Sequence, residues 1–161
     1  MGEAVMNVMC KKIGLDSTKT DSKETLTKLL KIMLDNQSDY TLTFLYLSDI
    51  IKGKGDNLFK QQFLKPNQIS HWLKEWKESI KDQNLAKKEI ALSMENSNPV
   101  FIPRNHLIER AIESAVVNND FSEMNTLMTI LSSPYKEQSK YGEYMKPPKS
   151  HEVVHQTFCG T

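Results

Sequence analysis

The spacing of the apolar residues constrains this chain more than any other feature. They recur at three- and four-residue intervals, the periodicity that lines up one face of an α-helix. Leu26, Leu29, Leu30, Met33 and Leu34 make a near-complete set, and Ile69, Trp72, Leu73, Trp76 and Ile80 make another. Nowhere does a run of alternating β-branched and polar residues mark a strand. Six glycines and six prolines in 161 residues leave room for long helices between breaks. The expected fold is all-α: an irregular bundle of six to eight helices with an extended C-terminal tail.

Composition narrows the class of protein. The length suffices for one domain with a real core. A net charge of +1 gives no basic or acidic surface for nucleic acid or membrane, so neither is an expected partner. No apolar run approaches the roughly 20 residues of a membrane span. The opening MGEAVMNVMCKK lacks the basic start and apolar core of a secretory signal. Two cysteines, Cys10 and Cys159, make no disulfide framework, and a reducing compartment is the default.

Taken in order, Val5, Met6, Met9 and Ile13 form a first helical stripe ended by Gly14, with Cys10 beside it as a small buried hydrophobe. Asp21 and Glu24 fit a capping box before the Leu26–Leu34 set. Residues 35–39 read as a polar loop, and Thr41 as the cap of a third helix. That helix carries Leu42, Phe44, Leu45, Leu47, Ile50 and Ile51 on nearly every side, which predicts a central position. A short helix with Leu58, Phe59 and Phe63 inward precedes one that starts at Pro66. Trp72 and Trp76 could stack a base, but aromatics at helical spacing are read as a core seam. Residues 85–94 carry a thinner stripe of Ala86, Ile90 and Met94, with Lys87 and Lys88 on a solvated face.

Residues 98–148 are the most distinctive stretch. Asn98-Pro99 biases the backbone out of the helical region, and Pro103 suits a first helical turn. Leu107, Ile108, Ala111, Ile112, Ala115 and Val116 form the next stripe. Residues 118–120 close it, Ser122 is the expected cap of the following helix, and Met124, Leu127, Met128 and Leu131 are its apolar face. Pro134 stops that helix. Beyond it Tyr135, Tyr141, Tyr144, Pro147 and Pro148 follow no period, apart from a possible turn of helix within residues 137–144.

In this stretch Asn98-Pro99, Arg104-Asn105, Ala111-Ile112, Asp120-Phe121-Ser122-Glu123, Pro134-Tyr135, Glu137-Gln138, Tyr144 and Pro147-Pro148 stand in an order that resembles the C-terminal end of the selenoprotein O family. Asp39-Tyr40-Thr41-Leu42-Thr43-Phe44 adds a weaker match upstream, and Cys159 stands where that family carries cysteine or selenocysteine. Pro103, where an aliphatic residue is usual, and Gly160-Thr161 after the cysteine depart from the pattern. The resemblance implies a kinase-like enzyme that moves AMP from ATP, with Mg2+ or Mn2+, onto hydroxyl side chains of proteins. It also implies that the nucleotide- and metal-binding residues lie in a kinase-like region ahead of this stretch. Gly53-Lys54-Gly55 is too short for a phosphate loop and follows a helix rather than a strand.

The expected organisation is a helical C-terminal region of a larger enzyme over residues 1–134 and a proline-punctuated tail over 135–161. Its partners would be the missing kinase-like region and, in the full-length protein, protein substrates. Cytoplasm in a bacterium, or mitochondria in a eukaryote, would be its place. A fragment of this kind would be inactive by itself and would self-associate through uncovered apolar surface. The alternative is a free-standing helical interaction module.

No catalytic, cofactor-binding or metal-binding residue is assigned within the chain. Arg104 and Asn105 are expected to make a structural contact to the missing catalytic domain, and Cys159 is a candidate redox thiol. Asp120 is read as a cap. His151-Glu152-Val153-Val154-His155 matches H-E-x-x-H, which in metalloproteases sets two histidines on one face of a helix. The match lies just after Pro147-Pro148 and close to the C-terminus, where a stable helix is not expected, so no zinc site is assigned.

Overall fold

The computed structural model describes residues 2–154, and these contain eight α-helices, two 3-10 helices and no strand. The helices are α1 (Glu3–Lys12), α2 (Thr20–Asn36), α3 (Tyr40–Ile51), α4 (Asn57–Lys60), α5 (Pro66–Lys81), α6 (Lys87–Ser97), α7 (Asn105–Asn118) and α8 (Ser122–Leu131). The all-α class stands as expected. The chain divides into two compact units, Met1–Pro99 and Val100–Thr161.

In the first unit the helix contacts close a ring: α1 packs on α2, α2 on α5, α5 on α4, α4 on α3, α3 on α6, and α6 on α1. Cys10, Ile13, Leu26, Leu29, Leu47, Phe59, Ile69, Trp76 and Met94 are sealed from solvent inside it. The tryptophans are a core seam. Their rings stack at 5.9 Å and 12°. Each indole N–H is satisfied, Trp72 donating to Thr25 O at 2.9 Å and Trp76 to Ile13 O at 2.8 Å. Gly14 sits at φ +68°, the left-handed conformation that ends α1, and a Cβ there would lie 2.7 Å from Met94 Sδ.

Several local expectations are corrected. The cap of α3 is Asp39, whose carboxylate accepts the Leu42 N–H at 2.8 Å; Thr41 lies inside the first turn. Helix α2 begins at Thr20, so Asp21 sits in the first turn and makes no capping box. It also runs to Asn36, into the expected loop. Leu34, expected inward, is 79% exposed, and Leu58 is exposed as well. Helix α4 is a single turn. Helix α6 spans Lys87–Ser97, with Ala86 N–H held by Glu89 at 3.2 Å.

In the second unit α7 packs on α8 through Leu107, Ala111 and Leu127, and Tyr144 lies against that cluster. Pro103 stands before α7, whose cap is Arg104. Ser122 is the first residue of α8 rather than its cap, and Asp120 fastens it by accepting the Ser122 N–H at 2.9 Å and hydroxyl at 3.0 Å. These bonds hold the Asp120 carboxyl below its ordinary pKa. The N–H groups of Val100 and Phe101 both donate to Pro134 O, at 2.8 and 3.0 Å, and so tie the lead-in of α7 to the end of α8. Residues 135–154 carry only 3-10 helices, Ser139–Met145 and Ser150–Glu152, joined by extended backbone.

Candidate functional site

The second unit brings Arg104 and Asn105 to one wall of a cleft of about 310 Å³, closed on the other side by Pro148, Glu152 and Val154. Arg104 is 9% exposed although it is a cap residue. Asn105 opens α7 and faces solvent. A neighbouring cleft of about 340 Å³ shares His106 and Glu152 and adds Glu109, Arg110 and His151. Burial pushes the His106 imidazole below its ordinary pKa; Arg104 and Arg110 push the same way, and Glu152 opposes them. The Lys149 N–H, donated to Glu152 at 2.8 Å, lowers the pKa of that carboxyl.

Arg110 extends the wall. It pairs with Glu123 Oε2 at 2.9 Å, and the Tyr144 hydroxyl donates to the same oxygen at 3.1 Å. The guanidinium also lies 5.5 Å from the Tyr144 ring centroid. One carboxylate thus clamps the tail to α7 and α8. Imidazoles, guanidiniums and carboxylates gathered here suit the gripping of a polar segment.

The other face of α7 is bare. Ile112, Val116 and Val117 are 46%, 78% and 71% exposed, and on α8 Met128 is 66% exposed. Phe121 between the helices is half exposed. The periodicity predicts the α7 stripe correctly, but only Leu107 and Ala111 of it are buried.

Two matched segments acquire physical roles in the first unit. Tyr40 and Phe44 pack at 4.8 Å, Tyr40 donates to Met9 Sδ at 3.1 Å, and the buried Thr43 hydroxyl returns to Asp39 O at 2.7 Å. Asn98 is 2% exposed, and its amide donates to Lys12 O at 2.8 Å and Ser48 Oγ at 3.2 Å. The sequence alone does not show this clasp, because the partners of Asn98 lie 86 and 50 residues away.

Cys159, Gly160-Thr161 and His155 lie outside the described residues. His151 and Glu152 stand on a one-turn 3-10 helix that gives way to extended backbone at Val153. Among the described residues no three His, Cys, Asp or Glu side chains gather as a metal cluster, and no helix is long and apolar enough to cross a membrane.

The family model described as protein adenylyltransferase SelO matches residues 2–132, and the chain belongs to that family. Among individual relatives it is similar to the protein nucleotidyltransferase YdiU of Maridesulfovibrio salexigens, 43% identical over 153 residues that make up 95% of this chain and 31% of that protein. The YdiU protein of Rhizobium johnstonii is 40% identical over 157 residues, again 95% of this chain and 31% of the relative. That of Rhodopseudomonas palustris is 36% identical over 162 residues, 99% of this chain and 33% of the relative. The chain therefore spans about a third of the length of these relatives.

Proposed function

We propose that this chain is the helical C-terminal portion of a protein adenylyltransferase whose chemistry is done by a kinase-like region outside it. The carrying observation is the family match over residues 2–132, set against a span of only 31% of the Maridesulfovibrio relative. In that enzyme ATP and Mg2+ or Mn2+ bind the kinase-like region, and AMP passes to protein Ser, Thr or Tyr hydroxyls. Residues 1–134 cover one side of that region and residues 135–161 form a tail. Arg104 and Asn105 brace the contact, Asn105 from its exposed place at the start of α7. The bare face of Ile112, Val116 and Met128 docks on the same region; without it, copies of the chain associate through this face. Cys159 is the redox-active thiol of the tail. The place of action is the cytoplasm of a bacterium or the mitochondria of a eukaryote.

The test is a chimera of the Maridesulfovibrio relative in which this chain replaces the region it matches. It should transfer labelled AMP from ATP to protein, and Ile112→Glu/Met128→Glu should lower its melting temperature. A folded chimera without transfer would overturn the enzymatic reading. Equal melting of chimera and variant would overturn the docking reading.

A further inference from the structure

Within the first unit α3, α4, α5 and the start of α6 surround a cleft of about 360 Å³ whose chemistry is two-sided. Its floor is aliphatic, with Ile50, Leu73 and Ile80. Its rim is cationic: five lysines against two carboxylates, a local excess of three positive charges in a chain whose net charge is +1. Asp56 Oδ2 is shared between Lys60 at 3.2 Å and Lys77 at 3.3 Å, and Glu78 takes Lys81 at 2.9 Å. Lys74 and Lys87 have no ion-pair partner among the described residues, and both are exposed on the rim.

This arrangement separates the two demands of an amphiphile. Lysine stems line an apolar wall while their ammonium groups stay at the mouth. A concave surface of one sign concentrates ions of the other. The volume falls in the lower part of the range for small-ligand sites, about 300–1,000 Å³. We propose that this cleft binds a small amphiphilic anion, an aliphatic body carrying a carboxylate or phosphate head. The body lies on Leu73 and Ile80, and the head meets Lys74 and Lys87.

Methyl NMR and calorimetry with octanoate, octyl phosphate and neutral octanol test the proposal on the intact chain. At least one of the two anions should bind saturably, shift the Leu73 and Ile50 methyl signals, and bind at least tenfold more tightly than octanol. Binding of octanoate alone would assign a carboxylate head, of octyl phosphate alone a phosphate head, and of both the shared chemistry. Lys74→Glu/Lys87→Glu, two exposed changes, should weaken that binding at least tenfold with thermal unfolding unchanged. Saturable binding of neither anion, equal affinity for octanol, shifts confined to other methyls, or affinity within twofold of wild type in the variant would each overturn it.

Discussion

Replacing Asn98 by alanine should destabilise the first unit by about 2–4 kcal/mol. The side chain amide reaches Lys12 O at 2.8 Å, Ser48 Oγ at 3.2 Å and Phe44 O at 3.4 Å, while its oxygen stands 3.5 Å from the Lys12 ammonium. Not all of these groups are orphaned by truncation. Phe44 O keeps the Ser48 hydroxyl at 3.2 Å, and the ammonium keeps Ser97 O at 2.6 Å. Lys12 O, at the end of α1, loses its donor. A buried acceptor left unsatisfied costs about 1–3 kcal/mol, and the weaker bonds add about 1 kcal/mol. Urea unfolding followed by the fluorescence of the buried Trp72 and Trp76 reads the loss directly, with an unchanged slope expected. The melting temperature of this unit should fall by at least about 8 °C. Asn98→Asp should also destabilise at neutral pH, because one carboxylate oxygen would face the Lys12 and Phe44 carbonyls, a repulsion that the Lys12 ammonium beside the other oxygen offsets only in part. A loss below about 0.5 kcal/mol for Asn98→Ala would refute the view that this amide clasps α1 to α3.

Gly14→Ala should cost about 2–4 kcal/mol in chemical denaturation, from a positive φ and a Cβ within 2.8 Å of both Met94 Sδ and Ile90 Cγ2. His106, whose folded-state pKa is lowered, binds its proton more readily when unfolded. It should therefore withdraw stability as pH falls below about 6.5, and His106→Gln should flatten that part of the stability profile. Cys10 is fully buried and its thiol pKa is raised chiefly by that burial, so a mild alkylating reagent should modify it only after unfolding.

Much of the fold was legible because a buried face repeats along a helix. The Trp72–Trp76 seam, the stop at Gly14 and the Pro66 start follow from spacing and backbone chemistry. Helix starts lie a residue or two from the positions the polar residues suggest. Asp39 displaced Thr41, and Thr20 preceded Asp21. Periodicity shows that a face is apolar without saying what covers it: Leu107 and Ala111 of the α7 stripe are buried, while Ile112, Val116 and, on α8, Met128 stand exposed. The Asn98 clasp and the lysine-rimmed cleft were not legible, since each forms only when distant segments meet. For Arg104 and Asn105 the resemblance identified the pair, while the cleft beside them depends on the path of residues 148–154.

If the chemistry lies outside this chain, as proposed, the chain alone transfers no AMP. Incubating the purified chain with labelled ATP, Mg2+ or Mn2+ and a generic protein acceptor tests this. No labelled protein should appear above a heat-killed control. Label transferred to the acceptor, or to the chain itself, above that control would contradict it.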